Sequence, residues 1–333
     1  MSLVWSWIAS TWIKATSRAT CASSPSRPTS TTVAACNNFK LESPNLKPVF
    51  DIALAGVRNR FTILTQSGWL LVHNCGYQGG VSGFQTFAHA YGVRMADHWD
   101  TIQQSIDPAI ILKAKKNLNK VWAKAQIAEL GISELEWLAS EACKLAWRAR
   151  HPATVSFWYA LQEAAIAAVE FPGSVHQVTR LKLSCRDHAG HKWLQILLPS
   201  GNRLTYFHPE IVSTVERNED TGKDTVRKSL AYWAMSTEEG GPRIWQRTFT
   251  HGGKLTGNVC QTLARDVLAH NMPAIEAAGY NIVLTVHDEV VAEAPISLDE
   301  ARMVELLATN PPWADGLPLA AAGFSHERYR KED

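Results

Sequence analysis

No Cys-x-x-Cys pair occurs in this sequence, and its six cysteines follow no regular spacing over 333 residues. That excludes a small disulfide-stapled fold and a structural zinc site as organising principles, and it makes a reducing cytoplasm the expected setting. Missing too is any uninterrupted apolar run long enough to cross a bilayer. The opening "MSLVWSWIASTWIKATSRAT" is broken by Ser, Thr and Lys, and it lacks the charged-then-apolar grammar of a signal sequence. Neither secretion nor a membrane partner is expected. Charge of one sign is scarce as well: 33 Lys and Arg against 31 Asp and Glu leave a formal +2. So small an excess does not mark a polyanion-binding protein, although basic side chains gathered on one face remain compatible with DNA. No internal repeat is found. What is present, 46% hydrophobic and 19% charged residues, suffices for a sizeable core and for two or more domains.

The texture changes along the chain. Residues 1–40 form a leader in which "CASSPSRPTSTT" is rich in Ser, Thr and Pro, a composition that buries little and predicts disorder. This leader is either a true linker or a fortuitous, mis-started extension. "PVFDIAL" and "RFTILTQSGWLLVHN" carry short β-branched and apolar runs broken by Gly56 and by Ser67-Gly68, which predicts strands with tight turns. From Cys75 onward the spacing becomes helical through "GFQTFAHAYG", "PAIILKAKKNLNKVWAKAQIAEL", "ELEWLASEACKLAWRAR" and "ATVSFWYALQEAAIAAV". "LKLSCRD" and "WLQILLPSGNRLTYFHPEI" predict strands turning at Ser200-Gly201-Asn202. "KLTGNVCQTLARDVLAHNMPAIEAAGY" predicts a long helix closed by Gly279, followed by the strand-turn-strand "NIVLTV", His287-Asp288-Glu289, "VVAEAP".

Two constellations carry chemistry. The first is His73-Asn74-Cys75 at the end of an apolar strand. An Asn side-chain amide can attack its own carbonyl and cleave the chain if a proton donor is positioned beside it, and a following thiol can accept an acyl group. The triplet alone is common in surface turns. In its context, from about Leu41 to Cys75, with Val49-Phe50-Asp51, an Arg58-Asn59-Arg60-Phe61 segment and the terminal Val72-His73-Asn74, the stretch resembles the C-terminal end of an intein. The resemblance implies that Asn74 cyclises, His73 assists, Asp51 belongs to the splicing site and Cys75 is the first residue of the flanking protein. Asn59 stands where many inteins have a His. No N-terminal intein piece is recognisable in residues 1–40, which implies a partner chain carrying one.

The second constellation is the His287-Asp288-Glu289 turn. A carboxylate at the tip of a hairpin suits a hard divalent cation, although an acidic turn is also an ordinary surface feature. The stretches "GYQGGVSGFQTFAHAYG", "WRARHPATVSFWYAL", "LPSGNRLTY" and "GGKLTGNVCQTLARDVLAHNM…GYNIVLTVHDEVVAEAP" together resemble, in order, family A (DNA polymerase I-like) DNA polymerases, those of bacteriophages in particular. The resemblance covers nearly everything after Cys75. It implies that Asp288 binds magnesium, with Glu289 adjacent and His287 near the primer end. It also implies that Tyr77 closes the nucleotide-binding fingers helix, and that Lys254, Asn258 and Gln261 face primer-template DNA. The same residues could equally form a solvated helix face. Gln78 stands where many relatives have Gly. The family's other metal-binding aspartate and the Arg/Lys half of the fingers helix are absent, so the seam at Asn74/Cys75 falls inside that helix.

The expected fold is α+β. Residues 1–40 are a leader, 41–74 a small all-β intein fragment, 75–172 helical polymerase fingers, and 173–333 a palm of antiparallel sheet and helices. The expected function is the C-terminal part of a DNA-directed DNA polymerase, a nucleotidyltransferase using dNTPs, primer-template DNA and a two-metal magnesium site. It would be completed through splicing with an N-terminal polymerase and intein chain in the cytoplasm of a bacterial host, and be inactive in polymerisation alone. The alternatives are a mis-started gene for one continuous intein-containing polymerase, and a non-catalytic DNA-binding protein that keeps the fold.

Overall fold

In a computed structural model of the chain, the described residues are 2–11, 60–65, 68–73, 77–217, 223–236, 243–286, 288–295, 297–317 and 319–326. Asp51, Asn74, Cys75 and His287, and the "PVFDIAL" strand, lie outside them.

Strand β1 (Ser2–Thr11) comes first, followed by the hairpin β2 (Arg60–Thr65) and β3 (Gly68–His73). The hairpin pairs in the register Thr65 opposite Gly68 through Arg60 opposite His73, as the turn signal at Ser67-Gly68 predicts. A helical region follows: α1 (Val81–Ala90), α2 (Trp99–Ser105), α3 (Pro108–Leu118), α4 (Val121–Leu130), α5 (Glu134–Arg150) and α6 (Pro152–Glu170). The run "PAIILKAKKNLNKVWAKAQIAEL" is two helices rather than one, broken at Asn119-Lys120, where the polar pair leaves the apolar stripe without a residue to bury. Capping side chains set the helix starts. Asp107 accepts from Ala109 N at 2.8 Å ahead of Pro108, and Ser133 accepts from Glu136 N at 3.1 Å.

One core of this region gathers Phe84, Met95, Ile102, Ile111, Leu138 and Cys143 from α1, α2, α3 and α5 and the turn at Met95–His98. The buried Glu136 belongs to it: its two carboxylate oxygens accept from Met95 N at 2.7 Å and Ala96 N at 2.8 Å, satisfying a helical turn that has no other cap.

Next come six antiparallel strands in sequence order: β4 (Val175–Val178), β5 (Leu181–His188), β6 (His191–Leu197), β7 (Arg203–Arg217), β8 (Asp224–Met235) and β9 (Trp245–Thr250). Alternation buries Leu181, Leu183, Cys185, Leu194, Ile196, Tyr206 and Leu230 on one face, against Leu161, Ala165 and Ala168 of α6. Each fully buried Leu or Ile contributes about 1.5–3 kcal/mol relative to exposure.

The 26-residue helix α7 (Gly252–Ala277) joins the two sheets. Its first half places Leu255 and Val259 in the core of the six-stranded sheet. Its second half places Leu268 and Ile275 in another core with Tyr280, Val290, Ala292, Met303 and Leu307. That second core lies on β10 (Asn281–Val286), β11 (Glu289–Pro295), α8 (Glu300–Leu307) and β12 (Leu319–His326). The predicted stop is where the sequence sets it: Gly279, at φ +95°, ends α7 and turns the chain into β10.

The order of this smaller sheet is β10-β11-β1-β12. Residues 2–11 are thus a strand paired on both sides, which corrects the expectation of disorder for that part of the leader. The reason is legible in "SLVWSWIAST", where Leu3, Trp5, Trp7 and Ala9 fall on one parity of the extended chain. No helix among the described residues is long and apolar enough to cross a membrane.

Candidate active site

The segment following the seam docks on the start of α7. The ring of Tyr77 lies against Gly257, where an added Cβ would stand 3.5 Å from the ring, in ordinary van der Waals contact. Two glycines bring the backbones closer still: a Cβ on Gly253 would stand 2.1 Å from the Tyr77 carbonyl oxygen, and one on Gly252 would stand 1.9 Å from the carbonyl oxygen of Trp158 in α6. Burial, reinforced by the neighbouring Cys260, pushes the Tyr77 phenol up to about 12, so it remains a neutral hydroxyl donor at physiological pH. Cys260 itself is pushed up to about 11 by burial and stays a thiol at physiological pH.

Gln78 has φ +64°, a conformation that favours glycine. Its side chain compensates. The Oε1 atom accepts from the Gly253 backbone N–H at 3.0 Å and from the Nδ1–H of His251 at 3.1 Å, satisfying an orphan donor at the first turn of α7. The next orphan donor, Gly252 N, gives its hydrogen to Gln162 Oε1 at 3.0 Å. Arg148 makes long contacts to the carbonyl oxygens of Gln78 at 3.4 Å and Gly79 at 3.3 Å, with its guanidinium 5.8 Å over the Trp158 ring. His151 and His251 border this junction, and both have pKa values held below the ordinary histidine range. Burial is the main cause, followed by Arg150 for His151 and by Lys254 and then Arg227 for His251.

Along α7, Lys254, Asn258, Gln261 and Arg265 recur at spacings of four, three and four residues, on one helix face. Lys254, Gln261 and Arg265 are exposed. Asn258 is half-buried and donates to the Tyr206 hydroxyl at 3.0 Å, which ties this face to the six-stranded sheet. Burial pushes Tyr206 up to about 12 against the lowering effect of that hydrogen bond, so this phenol too stays protonated. Farther along, the buried Asp266 accepts from Asn202 Nδ2 at 2.7 Å and from the Ser200 hydroxyl, locking the predicted Ser200-Gly201-Asn202 turn onto the helix.

Asp288 is half-buried in the turn between β10 and β11, and Glu289, the first residue of β11, is buried. Strand β10 runs back along α7. At about 3.3 Å per strand residue and 1.5 Å per helix residue, its six residues retrace about thirteen residues of helix. A strand of that length reaches back to about the Gln261–Arg265 level of the helix. Strand β1 stands beside β11, with Ile8 opposite Glu289, and carries neither Asp nor Glu.

Among the described residues no group of three or more His, Cys, Asp or Glu could hold a metal ion. Asp288 and Glu289 are therefore joined by no third such side chain among the described residues. Sequence reasoning overlooked Arg265, Arg148, Gln162 and His251. Arg265 could have been found from its place four residues after Gln261. The other three act through contacts over long sequence separations, which spacing does not reveal.

No family model matches the chain, and no solved structure matches it. A DNA polymerase of Bacillus phage SP02 is 33% identical to it over 260 residues, which is 75% of this chain and 37% of that protein. The chain thus spans little more than a third of the curated relative it matches.

Proposed function

We propose that residues 75–333 are the C-terminal portion of a phage-type, family A DNA polymerase. The observation that carries this reading is the similarity to a phage DNA polymerase over three quarters of the chain. It is joined by the length of β10, which is enough to carry the Asp288 turn back to about the Gln261–Arg265 level of α7. In the assembled enzyme, Lys254, Asn258, Gln261 and Arg265 would contact the primer-template, Tyr77 would close the nucleotide-binding helix, and His287 would sit near the primer end. Asp288 would share magnesium with a carboxylate supplied by the rest of the enzyme, Glu289 lying beside it. Magnesium, when bound there, would neutralise charge on the triphosphate and activate the primer hydroxyl. The chain's own residues position the template and primer end and keep Tyr77 as a neutral donor.

We further infer that residues 41–74 are a C-terminal intein fragment and that splicing at Asn74/Cys75 restores the fingers helix. The test mixes the purified chain with an N-terminal chain bearing the complementary intein piece and the rest of the polymerase. The expected result is a ligated product with Cys75 at the junction, seen by mass spectrometry, and magnesium-dependent primer extension that the chain alone lacks. Asn74→Ala should leave the intein attached, because no side-chain amide remains to cyclise. Efficient extension by the unmixed chain would contradict the need for a partner, and no ligation with any N-terminal intein piece would contradict the splicing reading.

A further inference from the structure

The six-stranded sheet has a second face that neither α6 nor α7 covers, because both helices pack on the opposite one. Strand register places five residues in one line across this face: Arg186 of β5 opposite Trp193 of β6, Trp193 opposite Phe207 of β7, Phe207 opposite Trp233 of β8, and Trp233 opposite Arg247 of β9. The line reads basic, aromatic, aromatic, aromatic, basic. Four steps at the usual strand spacing make it about 19 Å long. Trp245, opposite Met235, widens the aromatic part, its ring centroid 5.7 Å from that of Phe207. The rings line an open groove of about 400 Å³. Trp233 is 38% exposed and Trp245 50%, far more than such side chains need to be if nothing is to cover them.

The polar surroundings narrow the choice of occupant. In the next register line stand Gln195 and Thr205, and one line farther Lys182, Leu197 and Arg203. The acidic Glu210 is engaged by Arg247 at 3.6 Å. The Trp193 indole N–H is enclosed and meets no acceptor among the described residues. A polymer that presents flat π-faces at short intervals together with a continuous line of negative charge complements this pattern. Single-stranded nucleic acid is such a polymer. Duplex is not, because its bases are stacked on one another and unavailable to the rings.

We propose that this face is a single-strand DNA platform, on which bases stack on Trp193, Phe207, Trp233 and Trp245 while Arg186, Arg203 and Arg247 meet the phosphates. The assignment of DNA as the nucleic acid rests on the polymerase reading above.

The full chain is titrated against a fluorescein-labelled oligo-dT of about twelve nucleotides, within the range bound by sheet platforms, with anisotropy as the readout. Trp233→Ala should weaken binding about tenfold or more, as loss of one base–aromatic stack does, whereas Trp233→Phe should retain most of it. Arg186→Gln combined with Arg247→Gln should reduce the dependence of log affinity on log salt by about one per arginine. Affinity for a fully paired duplex should stay unchanged in all of these variants.

Circular dichroism establishes that each variant is folded; Trp233 is exposed, so its loss leaves the core intact. The proposal is overturned if the parent chain does not bind oligo-dT, or if folded Trp233→Ala binds it as the parent does. It is equally overturned if Trp233→Ala instead dissolves a self-associated form in sedimentation, or abolishes docking of the N-terminal chain, without altering oligo-dT affinity, since the face is then a protein interface. Failure of primer extension by the enzyme reconstituted with its N-terminal chain, with oligo-dT binding intact, would count against the polymerase reading alone, and the converse against the platform alone.

Discussion

Gly253 approaches Tyr77 so closely that a methyl group added to it would stand 2.1 Å from the Tyr77 carbonyl oxygen. The contact is between backbones, so no side chain can swing aside to relieve it. This single approach fixes the segment after the seam onto the helix that carries the candidate DNA-facing residues.

Gly253→Ala should therefore destabilise the chain by about 1–3 kcal/mol or more, the range of an overpacked core, with a matching fall in the urea midpoint. Gly83→Ala supplies the contrast. In the first turn of α1 an added Cβ meets nothing within 4 Å, and the substitution should stabilise by about 0.5–1 kcal/mol because alanine loses less backbone entropy. Equal effects at the two positions would contradict the close packing.

Gln78 offers a separable test of strain against hydrogen bonding. Gln78→Ala keeps the positive φ and loses both side-chain bonds, so it should cost about 1–3 kcal/mol. Gln78→Gly loses the same bonds but relieves the backbone, and should be less harmful than the alanine by about 1 kcal/mol. If alanine proves as stable as glycine here, the left-handed conformation is not adopted.

Stability should also depend on pH. His151 and His251 are held below the ordinary histidine range in the folded chain, so the folded state binds fewer protons than the unfolded state once pH falls below the unfolded value. Their contribution is fully present above about pH 6.5 and is lost as pH falls from there through the folded values. The Nε2 atom of His151 is buried with no partner among the described residues, so a proton placed there is uncompensated. Denaturation midpoints measured from pH 7.5 downward should decline, and His151→Gln with His251→Gln should flatten the decline. A parent chain whose midpoint rises on acidification would contradict this.

The helices α1, α5 and α6, the hairpin β2–β3, the turn at Ser200-Gly201-Asn202 and the stop at Gly279 were legible because each is written locally, in apolar period or turn chemistry. The strands β8 and β9 were not read: in "DTVRKSLAYWAM" and "WQRTFT" aromatic and charged residues share the exposed face, so apolar and polar residues do not alternate cleanly. β1 escaped because its pairing partners stand nearly the whole chain away. At the site, Lys254, Asn258 and Gln261 fall on one face as their spacing implies. The local sequence does not reveal that Asn258 is engaged by Tyr206, or that the glycine-favouring conformation at Gln78 is compensated by Gly253 and His251.

The most direct measurement is primer extension by the reconstituted enzyme carrying Asp288→Asn. The substitution keeps size and removes only the negative charge, so ligation at Cys75 and affinity for primer-template should stay within about twofold of the parent, while incorporation of nucleotide should fall by at least about 10³-fold, as expected when a catalytic metal site is lost. Extension at the parental rate by ligated, DNA-binding Asp288→Asn enzyme would make Asp288 a turn residue and contradict the polymerase reading at its centre.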